Sequence, residues 1–520
     1  MHPPAAIISP KHRAFALPYD AGLASLVPQA KEFMHPERGR MILLPHEQAT
    51  TRLARNMGFT VPAPILAQYD WVGSTPFRTQ QVTAAMLTMQ PRAFVLNEMG
   101  TGKTRATLFA LDWLIRIGEV RRVLVVAPLS TLSIVWDREI FQYFPHLTTA
   151  VLHGTRAKRH DMLASDKHIY IVNHDGVELI LKEVLERGDI DCVVIDELAV
   201  YRNARTARWK ALNPIVSKAK FAWGLTGSPT PGEPTDAWGQ VKMLRPTQVP
   251  KYFKEFQRDT MIQVSPFRWV PKKEANEKVF SVMQPCVRFT RDDCVELPDT
   301  SYQTRETPLS TQQQKIHDEM IKKLRLEFAQ GRVTAANEGV LVSKLLQICA
   351  GWVYTQDRRV IALDNKPRLQ ALQDFLDEAE GKVIVFGSYI HVVENLFDII
   401  KKSGRTCSMV HGGTPGGQRN AIFSAFNQDP DPRILVAHPG CMAHGLTLTS
   451  ASVTVWFTPA PSLEIYEQAN ARMTRPGQEK KTVIAHLTGS KTESKLYQRL
   501  RQRASVQGAL LEMFENQEVG

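Results

Sequence analysis

The segment Asn97-Glu98-Met99-Gly100-Thr101-Gly102-Lys103-Thr104 sets two glycines and a Lys-Thr pair directly after an apolar run, Ala93 to Leu96. Small residues in such a turn let backbone N–H groups curl around phosphate oxygens at the start of a helix. Met99, Gly100, Thr101 and Gly102 would form the cradle, Lys103 would bridge the β- and γ-phosphates, and the Thr104 hydroxyl would ligate Mg²⁺. The strict phosphate-loop pattern opens with Gly, and Asn97 stands in that place. A second apolar run, Val193 to Ile195, ends in Asp196-Glu197. Adjacent carboxylates at a strand end can divide a hydrolysis between them: Asp196 holds the Mg²⁺ shell and Glu197 orients and deprotonates the attacking water. Much later come Gln468, Arg472 and Arg475. Three residues apart on an expected helix, the two arginines share a face and suit the negative charge that develops on a transferring phosphoryl group. Gln468, one turn earlier, is placed to contact the water or the γ-phosphate.

These groups need rigid elements to hold them. From about Tyr69 to Pro246, strand-length apolar runs (93–96, 123–126, 169–172, 193–195, 221–225) alternate with helical periodicity, the mark of a parallel sheet with helices on both faces. A second alternation begins at Lys382 and continues through Ile434–Ala437, Val453–Phe457 and Val483–Leu487. The expected fold is α/β: an accessory element over 1–65, a first lobe over 66–249, helical inserts and a linker over 250–364, a second lobe over 365–500 and a tail over 501–520. In the accessory element, Leu17-Pro18-Tyr19-Asp20 reads as a turn and Met41–Leu44 as a short strand.

The 520 residues are 43% hydrophobic, enough for several cores, and the net charge of +12 suits a polyanionic partner. No apolar run approaches the length of a membrane helix, and Met1-His2-Pro3-Pro4 does not open a secretory signal. A cytoplasmic protein is expected, or a nuclear one in a eukaryote. Six cysteines without C-x-x-C spacing read as reduced thiols, not as zinc ligands.

The motifs resemble those of superfamily-two helicase-like ATPases of the Swi/Snf type. That branch typically carries Asp-Glu-Met-Gly-Leu-Gly-Lys-Thr, which residues 97–104 match except at Asn97 and Thr101. Its Gln-Ala-x-Gly-Arg-x-x-Arg-x-Gly-Gln aligns with Gln468 to Gln478, with Ala471 in the Gly place. Ala127 to Leu132 with Trp136 is similar to motif Ia, Leu225 to Thr230 to motif III, and Cys286 to Arg291 with Leu297-Pro298 to the opening of the inter-lobe segment. The likeness runs from about Phe77 to Leu500. It implies two tandem RecA-like lobes, with ATP and Mg²⁺ as cofactors. Gln80, in Phe-Arg-Thr-Gln, would read the adenine edge. Thr226 and Ser228 would relay the nucleotide state, while Thr447 and Thr449 would touch a phosphate backbone, positioning without reading bases.

Two departures concern coupling. Leu198-Ala199 follows Asp196-Glu197 where Ala-His is frequent, and Met442-Ala443 replaces a Gly pair before His444. The lead-in is similar, more faintly, to the fork-engaging module of annealing-helicase relatives, and compact chains of this kind resemble phage or bacterial members. The expected function is an ATP-dependent translocase on duplex or forked DNA, sequence-independent and monomeric without DNA. The alternatives are a strand-separating DNA or RNA helicase and a non-enzymatic nucleic-acid clamp; intact Lys103, Thr104, Asp196, Glu197, Arg472 and Arg475 oppose the clamp.

Overall fold

The computed structural model describes residues 6–502 apart from 74, 266–267, 291–292, 295–299, 330–334, 356, 358, 443–447, 475–477 and 479. The chain divides into two compact units, Met1–Cys294 and Val295–Gly520. No helix among the described residues is long and apolar enough to cross a membrane.

The first unit begins with an antiparallel sheet of β1 (Ile7–Ser9), β2 (Ala14–Pro18), β3 (Lys31–His35) and β4 (Gly39–Pro45), in the order β1-β2-β4-β3. Phe15 and Leu17 from β2 meet Ile42 and Leu44 from β4 in a small core of their own. Leu17-Pro18 closes β2, and Asp20 caps the helix Ala21–Leu26 by accepting from the Leu23 N–H at 2.9 Å. The expected turn is therefore a strand end running into a capped helix. The helix Gln48–Asn56 ties this module to the main sheet. Gln48 Nε2 donates to the Thr88 carbonyl at 2.7 Å and Arg52 Nη2 to the same oxygen at 3.0 Å, satisfying a carbonyl in the last turn of the helix Arg78–Met89.

The main sheet of this unit is wholly parallel. It contains β5 (Arg92–Val95), β6 (Val123–Ala127), β7 (Thr149–Leu152), β8 (Ile169–Asn173), β9 (Cys192–Asp196) and β10 (Phe221–Leu225). After a hairpin of β11 (Met261–Ser265) and β12 (Arg268–Pro271), the short β13 (Cys286–Val287) completes the order β13-β5-β10-β9-β6-β8-β7. Separate apolar cores cover its two faces, one built around Phe109, Trp136 and Trp223, the other around Phe94, Tyr170 and Phe256. A strand buried on both faces must be apolar at every position, which is why these strands appear in the sequence as continuous runs.

The second unit contributes β14 (Thr300–Glu306), a hairpin of β15 (Trp352–Tyr354) and β16 (Val360–Ala362), then β17 (Lys382–Phe386), β18 (Cys407–Val410), β19 (Ile434–Ala437), β20 (Ala451–Trp456) and β21 (Thr482–Thr488). Its parallel sheet runs β14-β21-β20-β17-β19-β18. The α/β fold with two parallel sheets is as expected. Within 250–364, the helices Thr311–Ala329 and Ala335–Ala350 are present, but the stretch also supplies β13 to the first sheet and β14 to the second. Edge strand β14 is polar and mostly exposed, so it offers no apolar run to read.

A buried histidine makes the second unit acid-sensitive. His486, on β21, is fully buried, lies 2.9 Å from the Tyr466 hydroxyl and stacks on Tyr497 with ring centroids 4.3 Å apart. Burial, helped by the charge of Arg501, lowers its pKa to about 3. The unfolded chain therefore binds the extra proton as pH falls below about 6.5, and that stabilisation is lost progressively down to about pH 3. Urea unfolding of the full chain at pH 7.5, 5.5 and 4.5 should show stability falling with pH. His486→Phe should flatten that slope by up to about 1.4 kcal/mol per pH unit.

Candidate functional site

The chemistry-bearing residues of the first unit collect at the carboxyl ends of three adjacent strands. Leu225 pairs with Val95 on one side and with Asp196 on the other, so the phosphate loop, the Thr226 loop and the acidic pair leave the sheet at one level. With strands about 4.8 Å apart, the loop after β5 and the carboxylate ending β9 flank Thr226. The loop turns through Gly100 (φ 86°) and Gly102 (φ 76°), and the helix Lys103–Arg116 starts there. A Cβ on Gly102 would collide with the Gln80 amide. Gln80 Oε1 accepts the Phe77 N–H at 3.0 Å and its Nε2 lies 3.5 Å from the Gly102 carbonyl, so the nucleotide-facing glutamine expected from Phe-Arg-Thr-Gln rests on the loop. Thr101 donates to the Glu98 carbonyl at 2.8 Å. Lys103 Nζ donates to the carbonyls of Asn97 (2.9 Å) and Glu98 (3.2 Å). Thr104, partly exposed, follows in the first turn.

Asp196 is held from two sides. Its Oδ2 accepts the indole N–H of the fully buried Trp136 at 3.0 Å, and its Oδ1 accepts the Glu197 N–H at 3.2 Å. Burial pushes the Asp196 carboxyl up; the Trp136 hydrogen bond, the Lys103 charge and the Glu197 N–H act against it. Glu197 itself has φ 55°, a left-handed conformation rare for a residue with a side chain. Thr226, almost fully buried, accepts the Ser228 N–H at 3.3 Å. A Cβ on Gly227 would lie 3.3 Å from Met99 Cγ, which packs this loop against the phosphate loop. Leu198, fully buried, fills the space beside Gly224.

In the second unit the helix expected to carry both arginines ends at Asn470 (Leu463–Asn470), and Arg472 lies beyond it in a turn. Only 3% of Arg472 is exposed. Its Nε donates to the Met442 carbonyl at 2.7 Å and its own carbonyl accepts from Leu448 N at 2.8 Å. The arginine is thus tied to Met442 and Leu448, the residues that flank 443–447. Gln468, also 3% exposed, donates to Glu464 Oε1 at 3.1 Å. Thr449 is partly exposed in a turn before β20. Thr447, His444 and Arg475 lie outside the described residues.

Two side chains at this site had no role in the sequence reading. Trp136 was visible only as part of a motif, since its partner lies 60 residues away. Asn97 was visible only as an irregularity. Among the described residues no three His, Cys, Asp or Glu side chains gather as a metal cluster, and no cysteine is disulfide-bonded.

The SNF2-related domain model matches residues 81–350, more than half of the chain, and the helicase conserved C-terminal domain matches 367–477. The chain belongs to the SNF2-related ATPase family. A phage relative, protein p41 of Acyrthosiphon pisum secondary endosymbiont phage 1, is 24% identical over 81% of this chain and 94% of its own length. An uncharacterized ATP-dependent helicase of Mycoplasma genitalium is 25% identical over 76% of the chain, and the human DNA annealing helicase and endonuclease ZRANB3 is 22% identical over 90%. The chain spans only 38% and 43% of those two proteins. A solved Sulfolobus solfataricus SWI2/SNF2 ATPase core in complex with dsDNA matches with a TM-score of 0.41 at 22% identity, over 83% of this chain and 92% of that one.

For an SNF2-related ATPase, Trp136 becomes a positioning residue for the acidic pair. Trp136→Phe removes one donor from a partly buried carboxylate, a loss of about 1–3 kcal/mol, and should slow turnover at saturating ATP by roughly 10- to 100-fold. Measured beside turnover, nucleotide affinity without Mg²⁺ should stay unchanged.

Proposed function

We propose that this chain is an ATP-driven DNA translocase acting on duplex or forked DNA without sequence preference. The observation that carries the reading is the register of Val95, Leu225 and Asp196, which aligns the phosphate loop, the Thr226 loop and the acidic pair at the carboxyl ends of adjacent strands. Lys103 exchanges its two carbonyl partners for β- and γ-phosphate oxygens, and Gln80 faces the adenine. The donor set fits Mg²⁺: the Thr104 hydroxyl and one Asp196 carboxylate are hard oxygen ligands, and this ion is commonly held by one or two carboxylates together with substrate phosphates. Bound there, Mg²⁺ would neutralise charge on the phosphates. Glu197 orients and deprotonates the water. Arg472, Arg475 and Gln468 supply positive charge and hydrogen bonds to the phosphoryl group late in the reaction, with Arg472 also holding the flanks of 443–447.

Thr226 and Ser228 pass the nucleotide state to the DNA side, where Thr447 and Thr449 touch backbone phosphates. The net charge of +12 favours that partner. Support also comes from relatives that include a DNA annealing helicase. The four-stranded N-terminal module is proposed to engage the fork.

Phosphate release should be measured with single-stranded, duplex and forked DNA and with RNA. Duplex or forked DNA should raise turnover most, and deleting residues 1–65 should abolish any fork preference. Glu197→Gln should bind nucleotide normally while losing at least about 100-fold in turnover. Strongest stimulation by RNA would turn the reading toward an RNA helicase, and nucleic-acid binding without any phosphate release would turn it toward a clamp.

A further inference from the structure

Asn97 occupies the one loop position where this chain has an amide in place of the resembling family's carboxylate, and the structure gives that amide two partners at once. Asn97 is 2% exposed. Its Oδ1 accepts the backbone N–H of Phe289 at 3.0 Å, and its Nδ2 donates to Thr83 Oγ1 at 3.1 Å. Thr83 in turn donates to the Thr79 carbonyl at 2.7 Å, the Thr79 hydroxyl lies 3.1 Å from Cys294 Sγ, and that thiol lies 3.4 Å from the Thr290 carbonyl. The path closes a ring through the helix Arg78–Met89, the phosphate loop and residues Phe289, Thr290 and Cys294. Backbone pairing runs alongside: Leu96 N donates to the Val287 carbonyl and Glu98 N to the Phe289 carbonyl, both at 2.8 Å. Residues 286–294 are the last of the first unit, so they form its exit.

An amide can accept and donate together, whereas a carboxylate only accepts. With Thr83 already committed as a donor to Thr79, only an amide at position 97 links the exit segment and the helix in one chain of bonds. The same two residues that grip Phe289, Asn97 and Glu98, also lend their carbonyls to the Lys103 ammonium.

We propose that Asn97 is a positioning residue that couples occupation of the phosphate loop to the hold on the exit segment, so that nucleotide binding loosens residues 286–290. When Lys103 turns to a phosphate, the 97–98 turn loses two charge-assisted hydrogen bonds, and the grip on Phe289 weakens with it. Linkage makes the effect reciprocal: whatever frees the exit segment alters nucleotide affinity by the same factor. The inference rests on the reading that this loop binds ATP, and the two can fail separately.

The test is hydrogen exchange of the peptide covering 286–294 in the full chain, with and without ADP and Mg²⁺, beside direct binding of a fluorescent ADP. Wild type should bind the nucleotide and exchange about fivefold faster at Phe289 when it is bound. Simple ligand stabilisation would slow exchange instead. Asn97→Ala should exchange fast in both states while still binding ADP. Asn97→Asp keeps the acceptor for Phe289 but loses the donor to Thr83, so it should show a smaller nucleotide response than wild type, and unchanged exchange of the buried strand Val123–Ala127 in the first unit should show that each variant is folded. Bound ADP that leaves the wild-type exit segment unchanged or slower, or a wild-type response in Asn97→Ala, overturns the coupling and leaves the nucleotide site standing. Absence of ADP binding by wild type overturns both.

Discussion

The backbone pairing of Leu225 with Val95 and with Asp196 is the constraint on which the proposed nucleotide site depends. Parallel strands share direction, so their carboxyl ends emerge together, and ligands of open α/β sheets gather outside those ends. Three loops, at 97–104, 196–197 and 226–228, thereby meet without any one of them having to be long or special. A one-residue slip of β10 would turn its side chains to the opposite faces of the sheet and carry Thr226 away from its neighbours. The apolar cores on both faces, with Trp223 on one and Ala222 on the other, exclude that slip.

Around this frame, buried polar bonds do the fine positioning. The indole of Trp136 reaches across 60 residues to hold Asp196, Gln80 packs on Gly102, and Asn97 ties the loop to Phe289. The second unit uses the same device. Trp456 Nε1 donates to Asn470 Oδ1 at 3.0 Å, Gln478 Nε2 to the Ala451 carbonyl at 2.8 Å, and Arg472 Nε to the Met442 carbonyl at 2.7 Å. These bonds join the helix end at Asn470, the turn at Arg472 and Gln478 to chain segments elsewhere in the unit. An unsatisfied buried donor or acceptor costs more than a satisfied one contributes, so such bonds give the loops a single conformation.

Much of this was legible in the residues. Strands buried on both faces must be apolar, so β5, β6, β8, β9 and β10 stand out as runs. The loop from 97 to 104 stands out because Gly100 and Gly102 followed by Lys-Thr fit a phosphate-loop pattern. The edge strands did not show: β14 is polar because most of it faces water, and β13 is two residues long. The end of the helix at Asn470 was also hidden, because Ala471-Arg472-Met473 is good helix-forming sequence and the bonds of Arg472 to Met442 and Leu448 join it to distant chain. Asn97 looked like a defect in a motif for the same reason, since its partner Phe289 is 192 residues away and nothing local announces it.

The most direct measurement is phosphate release by Lys103→Ala beside wild type, at saturating ATP and duplex DNA. If the strand ends of the first unit form the hydrolytic pocket, wild type turns over in a DNA-dependent way and the variant falls to the protein-free background. Turnover by Lys103→Ala at the wild-type rate would contradict the assignment of that pocket.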